Sequence, residues 1–462
     1  MFTSILNTLS NCFKIPELKS RILFTMLVLG ICRVASLVPT PGLDSHLLTA
    51  YFEQGAGKNT GNGLLGMYSL FTGGGFERCA VGALGIMPYI SATIILQLLQ
   101  AVIPWLSKLA REEGGRSKLI QYGRVLTLFL CLGQGFVMAI GWERAGDVFP
   151  NFAGNLVLLR DHIWWYRIQT SIILTTGTML LMWLGEQITD RGIGNGISLI
   201  ITIGIVARLP AAGQGLIDMF RAQGAATSTG HNPFIFIALI LMLCAVVAGV
   251  VAVTQAERKI PVQYAQRVVG RKMYSGGSSF MPLRVNYSGV MPVIFASAIL
   301  MFPAMILNFL GSRFGIKAFI ELATILQRGS TVYLTFYGLM ILFFSYFWVA
   351  TQFNELQIAD DMKKSGGYIP GVRPGQATSN FLHRTMSRIT LAGAIFLTVI
   401  AIIPIVLGNT MRIPQTVAQF FGGTSLLIIV GVMLDTMRQM ESHLLMRHYD
   451  GFLKKGRLKG RF

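Results

Sequence analysis

Long, nearly uncharged hydrophobic runs alternate with polar, basic segments along most of the chain. A helix of about 20 residues, rising 1.5 Å per residue, spans a hydrocarbon core of about 30 Å. A transmembrane β-barrel would instead show apolar and polar residues in alternation. The pattern therefore predicts an all-α polytopic membrane protein with ten transmembrane helices. The ten runs lie at about 21–40, 77–100, 119–141, 164–185, 193–209, 233–254, 288–310, 331–351, 385–405 and 417–437.

Composition agrees with a membrane protein. Of the 462 residues, 53% are hydrophobic and 13% are charged, against about 45–50% and about 25% in a soluble domain. These values exclude a soluble enzyme and a disordered chain. The first run follows a polar segment, contains Arg33 and continues into Pro39 and Pro41 without a small-residue cleavage site. It is therefore predicted to be a retained helix, not a cleaved signal peptide.

The distribution of basic residues predicts the orientation. Of the 39 Lys and Arg residues, 27 fall on one side of the ten-helix arrangement, which also carries both termini. By the positive-inside rule this side is cytoplasmic. The sequence thus predicts a cytoplasmic N-terminus at 1–20 and a basic cytoplasmic tail at 438–462.

Two of the expected cytoplasmic loops, 256–287 and 352–388, are unusually long and basic. Attraction to anionic lipid, at about 1 kcal/mol per basic residue, is one interpretation. Docking of a large partner is the other, and it suits loops that reach far into the cytosol. Ribosomal RNA would fit such basic loops with aromatic residues such as Tyr264 and Tyr274.

The segment 64–103 is too long for one transmembrane helix and is interrupted by three glycines at 73–75. Each glycine disfavours helix by about 1 kcal/mol. We therefore expect a half-helix at about 64–72 and a full span that starts near Glu77. The half-helix is either re-entrant, within a cavity between the spans, or an interfacial helix lying flat outside.

Motifs for other chemistry are missing from the sequence. The five Cys residues contain no C-x-x-C, and the six His residues form no ligand pattern, so neither a metal nor a cofactor is expected. A phosphate-binding loop is also absent, so a passive channel would have to be driven by a partner. The alternative is a secondary transporter of a small solute, which normally carries ionisable groups at the membrane midplane. Within the spans, Arg33 is almost the only such group.

Several strings resemble the SecY family, the channel subunit of the bacterial Sec protein translocase. The resemblance covers about residues 15–455, in order. The strings are LGIMPYISA at 84–92, WLGEQIT at 183–189, RGIGNGIS at 191–198, KKSG at 363–366, PGVRPG at 370–375 and GGTSLLI at 422–428.

The resemblance implies two inverted, pseudo-symmetric halves of five helices around an hourglass pore. The N-terminal half would be 21–207 and the C-terminal half 233–437, with an external hinge loop at 208–232. A plug at about 64–75 would close the outer funnel. The expected function is passage of unfolded preproteins across the membrane and lateral release of hydrophobic segments into lipid.

The resemblance also implies residue roles, carried over by motif. The pore ring would be Ile86, Ile90, Ile197, Ile201, Ile294 and Ile428. The plug would include Leu64, Leu65, Met67, Tyr68, Leu70 and Phe71, and the lateral gate would include Ser91 and Phe302. The docking residues would be Arg258, Lys259, Arg267, Arg271, Lys272 and Arg373. From the residues alone, isoleucines on a transmembrane helix most often face lipid or a neighbouring helix.

The implied partners are small single-span subunits resembling SecE and SecG, the SecA motor ATPase, the ribosome, signal-sequence-bearing preproteins and membrane lipids. The implied location is the bacterial plasma (inner) membrane, with a thylakoid membrane as the open alternative. Arg33 would either snorkel along its apolar stem or face a partner helix.

Overall fold

A computed structural model of the chain describes most of the sequence. The described residues are 15–53, 68–69, 71–112, 114–148, 152, 154–158, 161–221, 233–264, 267–269, 272–274, 277–326, 330–410 and 423–455. Of the predicted plug residues, Leu64, Leu65, Met67 and Leu70 lie outside this part, as does the docking residue Arg271.

Helices form most of the described chain. The first half contains α1 (Pro16–Ala35), α2 (Ser45–Glu53), α3 (Met87–Val102), α4 (Pro104–Arg111), α5 (Gly115–Glu143), α6 (Ala145–Val148), α7 (Ile163–Arg191), α8 (Gly196–Val206) and α9 (Leu209–Arg221). The second half contains α10 (Pro233–Gln255), α11 (Met291–Phe314), α12 (Lys317–Ile325), α13 (Thr331–Gln352), α14 (Glu355–Ser365), α15 (Gln376–Thr410) and α16 (Gly423–Lys455).

Each predicted span overlaps one of these helices. By length and hydropathy, 5 helices in the described part can cross a membrane, or 6 if α3 and α4 count as one broken span. Many large side chains face outward, among them Met26, Phe129 and Phe396, as expected of helices surrounded by lipid. The number of ten spans stays a prediction.

The second predicted span starts later than expected. Residues 72–86 form successive turns, and α3 begins at Met87 and not near Glu77. Gly73, Gly74 and Gly85 adopt positive φ angles, which a helix cannot contain. The turns are fixed by backbone hydrogen bonds to the end of α1, including Gly82 N–H to the Ala35 carbonyl at 3.0 Å. At its other end α3 bends by 106° into α4.

The two long loops fold against each other, as strands that the sequence analysis did not assign. The strands are β1 (Glu257–Tyr264), β2 (Arg267–Val269), β3 (Lys272–Tyr274), β4 (Ser278–Arg284) and β5 (Gly367–Tyr368). An antiparallel sheet in the order β4-β1-β5 joins them, and β2 pairs with β3. One face of the sheet covers a small apolar cluster that includes Ile260, Leu283 and Met386. The loops are therefore one folded unit.

The expected hinge loop is partly helical, because α9 occupies Leu209–Arg221. Residues 222–232 lie outside the described part. The main hydrophobic core runs through the helix bundle and joins residues of α1, α3, α7, α8, α11 and α16.

Candidate functional site: an apolar constriction and the segment beside it

The six isoleucines predicted to form a pore ring come together in one hydrophobic core. Ile86, Ile90, Ile201, Ile294 and Ile428 are each buried, with at most 4% of their surface exposed, and Ile197 is half-buried and packs against them. Four separate helices thus contribute branched apolar side chains to a common cluster. Branched apolar side chains offer water and ions no hydrogen-bonding partner.

The isoleucines lie at or within two turns of the starts of their helices, where local sequence fixes the backbone. Ile86 is the residue that precedes α3, and Pro88 lies in the first turn. At α8, the Asn195 side chain accepts a hydrogen bond from the Ile197 N–H at 3.2 Å, which caps the helix. Proline in a first turn lacks only an N–H that would have no partner there. These local features fix the starts of α3 and α8, and with them the positions of the isoleucines that these two helices carry.

The loop before α8 is packed too tightly for most side chains. A Cβ added to Gly196 would lie 1.9 Å from the Gly185 carbonyl oxygen. The loop is also tied to its neighbours: the Ile193 N–H donates to Thr25 Oγ1 at 3.1 Å, and the Gly194 N–H donates to Gln439 Oε1 at 2.8 Å. The RGIGNGIS string therefore fixes the start of α8 between α1 and α16.

The described part of the predicted plug packs into the core. Tyr68, Phe71 and Phe76 are each at most 6% exposed. The Phe76 ring lies 5.3 Å from the ring of Tyr68 and 6.3 Å from that of Trp142, centroid to centroid. The described residues 68–69 and 71–77 therefore form part of the closed interior of the bundle, and we call them the inserted segment.

Arg33 reaches the inserted segment, which differs from both orientations considered from the sequence. Its Nη1 donates to the Gly73 carbonyl, and to Ser36 Oγ at 3.1 Å. The guanidinium therefore satisfies a backbone oxygen in a sharp turn within the protein. Sequence reasoning flagged this residue as unusual but could not identify the acceptor, which lies 40 residues away.

Three polar residues to which the sequence analysis gave no role in the site also meet here. Arg208 Nη2 lies 2.6 Å from Glu77 Oε1 and donates to Ser69 Oγ. The signal available in the sequence was the isolation of charge: Glu77 and Arg78 are the only charged residues within 64–103, and Arg208 directly follows an apolar helix.

The seam predicted as a lateral gate lies between α3 and α11, which pack together. The half-buried Ser91 donates to the Met87 carbonyl at 3.1 Å. Phe302 lies in α11, next to Pro303, and its side chain is outside the described part. The structure thus brings the two helices of the predicted gate together. The gate roles of Ser91 and Phe302 stay predictions.

The predicted docking residues are divided among three parts of the folded loops. Arg258 and Lys259 lie exposed on β1, and Arg373 lies exposed in the turn before α15. Arg267 and Lys272 lie on the paired strands β2 and β3. The Arg373 turn is shaped by Gly371 and Gly375, both with positive φ, and by Thr378 Oγ1, which donates to the Arg373 carbonyl at 2.9 Å.

Comparison with known proteins identifies the family. The SecY family model matches residues 80–437. "Protein translocase subunit SecY" of Chlamydia trachomatis is 45% identical over 464 residues, which cover 98% of this chain and 99% of the relative. The subunit of the same name from Escherichia coli K12 is 41% identical over 446 residues, covering 96% of each chain.

Solved structures show the same fold. "The structure of a protein conducting channel" matches with a TM-score of 0.63 at 19% identity and covers 95% of this chain and 94% of that one. A structure described as showing that the plug domain of SecY stabilises the closed state matches at 0.55 with 20% identity and the same coverage. Sec61 in a canine ribosome–channel complex matches at 0.58 with 18% identity, also with that coverage. The chain therefore belongs to the SecY family and forms a protein-conducting translocation channel in a membrane.

Proposed function

We propose that the six clustered isoleucines form the constriction through which unfolded preproteins cross the membrane. Their common burial in one core, from four helices, is the observation that supports this role. A ring of branched apolar side chains excludes water and ions when closed. It also gives a passing chain no hydrogen bonds that would arrest it.

Photocrosslinking from within the ring tests this proposal. A photoreactive side chain would replace Ile201 or Ile294 in the reconstituted complex, and a labelled preprotein would be arrested midway. Both positions should crosslink to the preprotein. Leu180 and Phe396, which are 41% and 58% exposed on the outside of the bundle, should crosslink to lipid instead. Equal preprotein crosslinking from all four positions would contradict the constriction.

The inserted segment and the residues before it are proposed to form the plug that closes the channel at rest. The burial of Tyr68 and Phe71 supports this role, as does the plug domain named for the related SecY structure. A segment built of turns, and not of continuous helix, can leave the core without unfolding a transmembrane span. The plug is expected to leave when a preprotein enters.

Lateral release of hydrophobic segments is proposed to occur between α3 and α11. The two helices pack together, and Pro303 lies within α11. A proline inside a helix removes one backbone hydrogen bond and favours a kink. Ser91 and Phe302 are the residues proposed to line this gate.

The folded loops are proposed to dock the SecA motor ATPase and the ribosome on the cytoplasmic side. The exposed charges of Arg258, Lys259 and Arg373 support this role, and the related Sec61 channel was solved in a ribosome complex. Energy for transport would then come from the bound partner. Small single-span subunits resembling SecE and SecG would cover part of the outward-facing apolar surface.

The proposed location is the bacterial plasma (inner) membrane, with both termini in the cytoplasm. The excess of Lys and Arg on the side of the folded loops supports this orientation. Proteolysis of sealed inverted vesicles tests it: tags at both termini should be digested, while a tag inserted within 222–232 should be protected.

A further inference from the structure

One ion pair joins the inserted segment to the end of α8. Arg208 Nη2 lies 2.6 Å from Glu77 Oε1, and the two side chains are 19% and 25% exposed. The same nitrogen donates to Ser69 Oγ. A single guanidinium therefore holds both ends of the inserted segment.

The segment between these two contacts is held from a second helix. Arg33 of α1 donates to the Gly73 carbonyl. On the other side the backbone of α8 lies in close contact, because a Cβ built on Gly204 would lie 3.4 Å from Gly73 Cα. The absence of side chains at both glycines allows this approach, which brings Arg208 within reach of Glu77.

The partial exposure of this ion pair suits a contact that forms and breaks. A fully buried pair costs several kcal/mol to desolvate and leaves an uncompensated charge when it is broken. A surface pair contributes little. Because about one fifth of each side chain is exposed, the two charges attract each other while paired and can be hydrated again when they separate.

We propose that Arg208 acts as an electrostatic latch that holds the inserted segment in the closed channel. This inference rests on the proposed role of that segment as the plug. Separation of Glu77 and Ser69 from Arg208 would be part of opening, and the pair would reform when the preprotein has left. Arg33 would hold the turn at Gly73 in the same closed position.

Two other ion pairs differ from this one in what they join. Arg124 pairs with Glu186 at 2.7 Å, and Arg167 pairs with Glu143 at 2.8 Å. Both connect α5 to α7, two long helices that pack along each other. Among the described residues, the hydrogen bonds of these two pairs do not reach the inserted segment, so the pairs provide matched controls of the same chemistry.

Single-channel recording in planar bilayers, without preprotein, tests the latch. Arg208→Gln and Glu77→Gln should each raise the resting open probability about tenfold, which corresponds to about 1.4 kcal/mol. The double variant Glu77→Arg with Arg208→Glu should restore most of the closure, because it keeps the attraction. Arg167→Gln should leave the resting open probability unchanged.

Salt provides a second measurement that a merely structural role would not change. Because the pair is partly exposed, added salt screens it. Opening of the parent channel should therefore rise with ionic strength more steeply than opening of Arg208→Gln. An equal salt dependence would overturn the latch, even if one variant folded poorly.

Deletion of residues 65–71 separates failure of the latch from failure of the plug. If the channel with the deletion conducts ions at rest while both single variants stay closed, the latch proposal is wrong and the plug proposal is retained. If the channel with the deletion stays closed, the plug proposal is wrong, and so is the latch proposal that depends on it. A charge-swapped variant that leaks as much as the single variants would also overturn the latch.

Discussion

 The Tyr368 hydroxyl donates a hydrogen bond to Gln263 Oε1 at 3.0 Å, across 105 residues of sequence. The same two residues are register partners of β5 and β1. A Cβ on Gly367 would lie 3.1 Å from the Tyr264 ring. The two long loops therefore form one surface, and Arg373 projects from a turn that this surface supports.

Charge reversal at Arg373 should reduce translocation driven by the motor at least about tenfold, because a carboxylate would meet a contact suited to a cation. Folding should be nearly unaffected, since the side chain is exposed. Reconstituted vesicles with purified motor and a labelled preprotein measure the effect. Arg388→Glu is the control, because Arg388 is exposed in the following helix and is not a predicted docking residue. Equal losses in both variants would favour simple attraction to lipid, at about 1 kcal/mol per charge.

Deletion of residues 65–71 should leave a folded channel that conducts ions at rest and accepts defective signal sequences. The reason is that the closed state loses the buried contacts of Tyr68 and Phe71, which shifts the population toward open. Planar-bilayer recording measures the leak, and export of a preprotein with a weakened signal sequence measures the second effect. If the deletion variant conducts no more ions at rest than the parent, the segment is better described as the interfacial helix that lies flat outside.

Gly196→Ala should destabilise the protein by about 3 kcal/mol or more, because the new methyl group would overlap the Gly185 carbonyl at 1.9 Å. Thermal unfolding in mild detergent measures the change as a lower Tm. Gly133→Ala is the matched control within α5, since a Cβ there meets nothing within 4 Å. It should be neutral or stabilising by up to about 1 kcal/mol. Similar Tm values for the two variants would show that the loop before α8 can relax.

The sequence predicted the helices well because continuous apolar runs of membrane-spanning length have few other structures available. The predicted start of α3 was wrong, because the apolar run continues there while the glycines at 73, 74 and 85 impose turns. The sequence analysis also missed the strands of the loops. Their pairing joins β1 to β5, about 100 residues further along the chain, and no local pattern records such a contact.

The candidate site, too, could be predicted from the sequence only in part. The motifs singled out the six isoleucines, which belong to one large core in the structure, and their arrangement as a pore ring stays a prediction. The contacts of Arg33 and Arg208 could not be predicted, because each depends on where the turns at 72–86 place Gly73 and Glu77. Periodicity describes one element at a time, whereas these contacts join elements that are distant in sequence.

A polar substitution in the proposed pore ring should open the closed channel to ions. Ile201 is 2% exposed within the cluster, and Ile201→Asn would place an amide among apolar side chains. Because the amide binds water, it should weaken the dewetting that blocks ions and raise the resting ion conductance at least about tenfold in planar bilayers. Ile201→Leu keeps the volume and the apolar character, so it should leave the conductance unchanged. If the two variants conduct equally, the seal does not depend on apolar character at Ile201, and closure must come from the inserted segment alone.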